Sequence, residues 1–209
     1  MQGLQELIPE GKLESSSECS PSLSQLVSED RLDVALVTLP IEEKHLFAQA
    51  ICTEKLLVCL REDDPLARFP SVPRVELEKR VKIISSQTHH PLLYEQIRQT
   101  LGRAGVSLRP SEFVSSPEEL QFLVKLKFGL GLIRESVPLD CELTRRPIAG
   151  IDPRIKTAFI CHPAQQKPLY PILVYRLAQA CAALNIQRAK KKTNPDLRPV
   201  EPRQLPIFE

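Results

Sequence analysis

Apolar positions along the chain recur with two periods, and the switch between them marks its elements. Residues 32–39 (LDVALVTL) run almost unbroken in Val and Leu after one acidic residue, the pattern of a strand covered on both faces. Just upstream, Ser20 precedes Pro21, a pairing that suits the cap and first turn of a helix carrying Leu23, Leu26 and Val27 on one face; Asp30 and Arg31 end it. Residues 12–18 read as extended, so the order strand, helix, strand predicts a parallel βαβ unit. Two further extended blocks, 50–51 and 55–60 (KLLVCL), close on the polar turn 61–64 and Pro65.

Alternation then resumes: strand 81–84, helix 91–104, strand 112–114, helix 117–127, strand 130–133. The first of these helices gathers Leu92, Leu93, Ile97 and Leu101 on one broad face, and the second gathers Leu120, Leu123, Val124 and Phe128. Segments 143–148 and 155–161 are extended, and 168–188 forms the longest helix, carrying Ile172, Val174, Leu177, Ala180, Cys181 and Leu184. From residue 190 the chain turns basic and then Pro-rich, the composition of a disordered extension. No fixed-period repeat is present.

Length allows one larger domain or two lobes of roughly 100 residues each. With 28 basic against 26 acidic residues the chain lacks the electrostatic footprint of a phosphate-backbone binder. The basic cluster 188–192 closes a helix, where it suits the negative end of the macrodipole. The N-terminus has no charged region followed by an apolar run, and no stretch approaches about 18 uninterrupted apolar residues, so neither secretion nor membrane spanning is expected. Six cysteines without a C-x-x-C pair, mostly within apolar runs, read as buried thiols of a reducing compartment, and the protein is expected in the cytoplasm.

Three ordered segments carry a family resemblance. Residues 26–40 (LVSEDRLDVALVTLP) resemble the helix-ending, strand-opening "L-D-hydrophobic" motif of the LysR-type bacterial transcriptional regulators. Residues 54–67 (EKLLVCLREDDPLA) resemble that family's crossover strand and "D-H-P-L-A" turn, with Asp64 in the His position, and residues 120–138 resemble its "lVaaGlGialvP" segment. The likeness runs over about 13–184 and is to the C-terminal effector-binding (substrate-binding) domain. Lys125, Lys127 and Phe128 stand where the family has small residues, and Arg134 stands where it has a proline.

The resemblance implies an α/β fold of the two-lobed type 2 periplasmic-binding-protein-like architecture, with mixed sheets and two crossing strands. Lobe I would take residues 1–59 plus 155–189, lobe II 60–154, and 190–209 the tail. The family's N-terminal winged helix-turn-helix is expected to be absent, with 4–9 a remnant of the effector domain's first helix. The implied function is sensing a small anionic effector, a carboxylate, in the interlobe cleft and passing the change through a homo-oligomer. Promoter DNA would be met only through the missing N-terminal domain; no cofactor and no membrane are implied. Family pairing of lobe I with a neighbour's lobe II would use helices 20–29 and 117–128, where Phe122, Leu123, Val124 and Leu126 exceed what one buried stripe needs.

Candidate ligand contacts lie at three strand-to-helix turns, where free backbone N–H groups and hydroxyls favour anions. In SSSECSPS these are Ser17, Cys19, Ser20 and Ser22; alternatively Ser20 is only an N-cap and the others surface residues. In SSQTHHP they are Ser86, Gln87 and His89, with His90 beside it, against an exposed capping loop. Ser115 and Ser116 precede Pro117-Glu118-Glu119, which fits a capping box as well as a ligand contact. Adjacent His side chains diverge and no third ligand lies at metal-binding spacing, so no metal site is expected. Gly129 and Gly131 read as backbone devices, one at a helix end and one for close approach in a strand.

No catalytic motif is present, neither G-x-S-x-G, H-E-x-x-H nor G-x-x-x-x-G-K, and the chain is not expected to be an enzyme. The alternative is an enzyme or a solute-binding protein on the same bilobal fold. Against the first stands the lack of a Lys, Cys or carboxylate set in a motif, and against the second the lack of a secretion signal.

Overall fold

The computed structural model of the protein describes residues 14–85, 89–165 and 167–192. Helix α1 (Ser20–Ser28) begins with Pro21 in its first turn and buries Val27 and Ser24. It leads into β1 (Val34–Thr38), whose neighbour is β7 (Arg154–Cys161), antiparallel, with Val34 opposite Cys161 and Thr38 opposite Thr157. On its other edge β7 pairs antiparallel with the first part of β2 (Phe47–Arg61), from Phe47 to Lys55. The two-residue period sorts the side chains of β7. Ile160 packs with Val27, Ala35, Val37 and Leu46 under α1, while Phe159 and Cys161 pack with Tyr170, Leu173 and Val174 of α5 (Tyr170–Lys192).

Strand β2 continues into a second group of strands. Leu56 to Cys59 pair antiparallel with β5 (Leu130–Arg134), and Val58 to Arg61 with β6 (Leu143–Arg146). Strand β3 (Val81–Ser85) lies between β5 and β4 (Glu112–Val114) and runs parallel to both. Helix α3 (Pro91–Arg103) joins β3 to β4 and buries Leu93, Ile97 and Leu101 against Val58, Leu60 and Leu132 on one face. Helix α4 (Pro117–Lys125) joins β4 to β5 on the other, where Leu120 and Val124 meet Cys59, Ile83 and Ile133. Burial pushes the Cys59 thiol up to about 12, the state of an inert core residue. The order β1-β7-β2-β5-β3-β4, with β6 also on β2, is the mixed α/β architecture expected.

Several local expectations change. Residues 14–18 are irregular and exposed, and β1 pairs with β7, so the described part of 12–18 forms no strand and the parallel βαβ unit does not appear. The two extended blocks of 50–60 are one strand, interrupted by a register shift between Ala50 and Cys52 that breaks the periodicity. Helix α2 (Arg74–Arg80) is absent from the sequence pattern because it buries one residue, Leu77. The last helix starts two residues later than predicted and runs to Lys192, past the expected onset of the tail at 190; residues 193–209 lie outside the described residues.

At the end of α4 the left-handed residue is Lys127 (φ 65°), whose N–H reaches the Val124 carbonyl, and not Gly129. Gly131 does permit close approach: a Cβ there would stand 2.7 Å from Leu120 Cδ2.

Candidate functional site

Strands β3, β4 and β5 are parallel, so their C-terminal ends share one edge of the sheet. Because α3 leaves toward one face and α4 toward the other, the loops after β3 and β4 part and leave a crevice. A cavity of about 310 Å³ occupies it. Leu56, Ile84, Leu93, Ile97, Leu120, Leu132 and Ile155 form an aliphatic floor, and His89, His90, Ser115, Ser116, Arg134 and Ser136 bring polar groups. Among the described residues no carboxylate side chain lines it. A second cavity, about 180 Å³, shares His90 and Leu93 with the first and reaches Ser22, Ser24 and Gln25 of α1 and Glu42 and Glu43 beyond β1. The crevice therefore runs between the two groups of strands.

Of the candidates from sequence, His89, Ser115 and Ser116 come together in the larger cavity. Ser116 also caps α4: its Oγ accepts from the Glu119 N–H at 3.1 Å, while Glu119 Oε2 accepts from the Ser115 N–H at 2.8 Å. His90, half-buried, has its pKa held below the ordinary value by desolvation first, then by the charge of Arg134 and by His89.

Ser22 lines the smaller cavity, with its Oγ 3.1 Å from Cys19 Sγ. Ser17 is exposed, and neither Ser17 nor Cys19 lines either cavity. Ser20 does not cap its helix; it is buried, and its Oγ accepts from the Thr38 N–H at 2.9 Å, while Cys19 takes the cap position without a side-chain bond to the helix backbone. Ser86 and Gln87 lie outside the described residues.

The site residue outside the sequence candidates is Arg134, which the sequence marks only as a departure from the family's proline. It ends β5, and its guanidinium donates to Thr38 Oγ1 at the end of β1. One Nη lies 3.5 Å from Glu54 Oε1 on β2. Glu54 is almost wholly buried, and its other oxygen accepts from the Ser136 N–H at 3.0 Å. Arg145 braces the turn that follows by donating to the carbonyls of Arg134, Glu135 and Val137. The signal in the sequence is a charged residue closing the apolar run LGLI, which marks a strand leaving the core at a polar junction. Among the described residues no cluster of three His, Cys, Asp or Glu side chains is placed to hold a metal ion, and no helix is long and apolar enough to cross a membrane.

Mixed sheets around a crevice, with anion-compatible groups at parallel strand ends, define a small-molecule-binding α/β domain. Residues 1–182 match the LysR substrate binding domain, and the chain belongs to that family. It is 28% identical over 139 residues to the HTH-type transcriptional regulator BudR of Raoultella terrigena, a match covering 65% of this chain and 47% of BudR. The chain thus spans about half the length of the curated relative it matches. Its fold resembles the reduced form of OxyR (TM-score 0.67, 21% identity, covering 88% of this chain and 85% of that one). It also resembles the CcmR regulatory domain of Synechocystis PCC6803, solved in complex with 2-PG (TM-score 0.71, 17% identity, covering 86% and 88%).

Proposed function

We propose that the chain is the effector-sensing part of a DNA-binding transcriptional regulator and that it binds a small anionic ligand between its two groups of strands. The observation that carries this is the composition of the larger cavity among the described residues: an aliphatic floor with a guanidinium, two imidazoles and three serines, and no lining carboxylate. That CcmR, a protein of like fold, is complexed with 2-PG supports the reading. Lobe I takes 1–59 plus 155–189 and lobe II 60–154, with β2 and the return near Ile155 as the crossing strands. Ligand favours one lobe arrangement, and the shift passes to DNA through a separate domain of the full regulator. The protein acts in the cytoplasm and binds without catalysing a reaction.

Lobe II offers the surface for self-association. Phe122, Leu126 and Phe128 are all more than half exposed at the end of α4. On α1, by contrast, Val27 is fully buried and Leu23 packs into the core, so the apolar surplus lies mainly on α4. Phe122→Glu is expected to turn a dimer into a folded monomer in the ultracentrifuge; a monomeric parent would defeat the oligomer proposal.

The ligand class is tested by thermal shift of the chain against small carboxylates, divalent cations and nucleotides. A carboxylate at 100 times its dissociation constant adds about 2.7 kcal/mol of stability. A melting curve moved only by cations or nucleotides would refute the anionic-effector reading.

A further inference from the structure

Among the described residues Arg134 is the single guanidinium in the lining of the larger cavity, and it stands where three strands meet: its own β5, β1 through Thr38, and β2 through Glu54. We infer that Arg134 is the specificity-determining residue of this cleft: it takes the carboxylate of a ligand with an apolar body, exchanging its contacts to Thr38 and Glu54 for it. The ligand's charge is thereby read at the junction of the two halves. This rests on the effector site proposed above.

A guanidinium carries five N–H donors in a planar fork that matches a carboxylate with two parallel bonds. Among the described residues Arg134 uses one of them, on a hydroxyl, and its approach to Glu54 at 3.5 Å is too long for a strong charge-assisted bond. Glu54 is held elsewhere, by the Ser136 N–H, so its buried charge compensates Arg134 without closing the fork. An incoming carboxylate gains two short bonds between opposite charges and displaces one bond to an uncharged hydroxyl and a long ion pair. The rest of the cavity is aliphatic, from Leu56 and Ile155 at the crossing strands to Leu93, Ile97 and Leu120 on the helices, so recognition falls on one charged end and one apolar body.

Thr38 adds the mechanical consequence. Its N–H is tied to Ser20 at the start of α1, and its hydroxyl to Arg134, so the series Ser20, Thr38, Arg134, Glu54, Ser136 links the helix of one half to the turn after β5 in the other. A carboxylate that draws Arg134 away from Thr38 releases β1 from β5, which couples occupancy to the relative placement of the halves.

Isothermal titration of the full chain with cyclohexanecarboxylate, cyclohexanecarboxamide and inorganic phosphate tests this. The parent chain is expected to prefer the carboxylate over the amide by at least about tenfold. Arg134→Gln should weaken the carboxylate by roughly 10- to 100-fold, the range for bonds to a charged group, and the amide little, so that the preference collapses. Glu54→Gln keeps an acceptor for the Ser136 N–H and removes the competing charge; it should strengthen carboxylate binding. If Arg134→Gln does not fold, Arg134→Lys, which keeps the charge and loses the fork, must still lower the preference. A preference unchanged in the Arg134 variants, or phosphate bound more tightly than the carboxylate, overturns the inference. The effector-site proposal survives that outcome if Ser115→Trp, which fills the cavity from the side of α4, abolishes the binding. A parent chain that binds none of the three probes overturns both.

Discussion

In the half built on β1, β7 and the start of β2 every strand pair is antiparallel, whereas the half built on β3, β4 and β5 pairs them in parallel around the same β2. The difference decides where chemistry is possible. Parallel strands bring their C-terminal ends to one edge, and helices leaving to opposite faces open a crevice there, so His89, His90, Ser115, Ser116 and Arg134 gather from turns distant in sequence. The antiparallel half offers no such edge; it contributes Thr38, held by Ser20, and the 40–43 loop against the smaller cavity. One half brings most of the polar lining of the cavity, and the other supplies the Thr38 hydroxyl to which Arg134 donates.

The largest effect is expected in the antiparallel half, whose core is the smaller. Phe159 is 1% exposed and meets Tyr170 edge-on at 5.5 Å between ring centres. Phe159→Ala should cost about 3–5 kcal/mol in urea unfolding. Because β2 runs through both halves, a single transition is expected, with the amides of β3 and β4 losing protection together with those of β1 and β7 in hydrogen exchange. Protection that persists in β3 and β4 after β1 and β7 have opened would show two independent units and break the link drawn between them.

Ser20 sharpens the comparison at the seam. Ser20→Ala strips the Thr38 N–H of its partner and is expected to cost about 1–3 kcal/mol. Ser20→Asp then separates the two roles the sequence leaves open. A helix N-cap accepts Asp as readily as Ser, but a site only 8% exposed penalises a carboxylate. Both variants should melt below the parent at pH 7. An Asp variant as stable as the parent would return Ser20 to the capping role.

How much of this was legible beforehand follows the same division. In the parallel half the strand and helix alternation of 81–133 appears with ends displaced by no more than two residues, because its helices bury clean stripes and its inner strands are apolar runs buried on both faces. His89 after β3 and Ser115 and Ser116 after β4 line one cavity, since the parallel strands end on one edge. The turn before α1 was treated alike, yet among the described residues no strand precedes it, and Ser17 and Cys19 stay out of both cavities. Arg134, which the sequence marks only as standing in place of a proline, and Glu54 take their meaning from pairings between β5, β1 and β2. Thr38 and Arg134 lie 96 residues apart, and no local period records such a contact.

The smallest effect concerns the end of α4, where two readings of one segment compete. The pattern LKFGLG assigns the helix end to Gly129, yet Lys127 carries the left-handed backbone, at φ 65°. A left-handed conformation costs a residue with a Cβ about 1–2 kcal/mol, which glycine escapes while losing more entropy on folding. Lys127→Gly is therefore expected to stabilise by about 0.5–1 kcal/mol, visible as a Tm raised by roughly 2 °C. Gly129 is bound by a different demand, since a Cβ there would stand 2.8 Å from Lys82 Cβ and 3.0 Å from the Arg80 carbonyl, at φ 155°. Gly129→Ala should accordingly destabilise the chain, through contact with β3 and not through the helix end. A stabilising Gly129→Ala with a destabilising Lys127→Gly would move the helix end to Gly129 and displace the start of β5, and with it the strand that delivers Arg134 to the cleft.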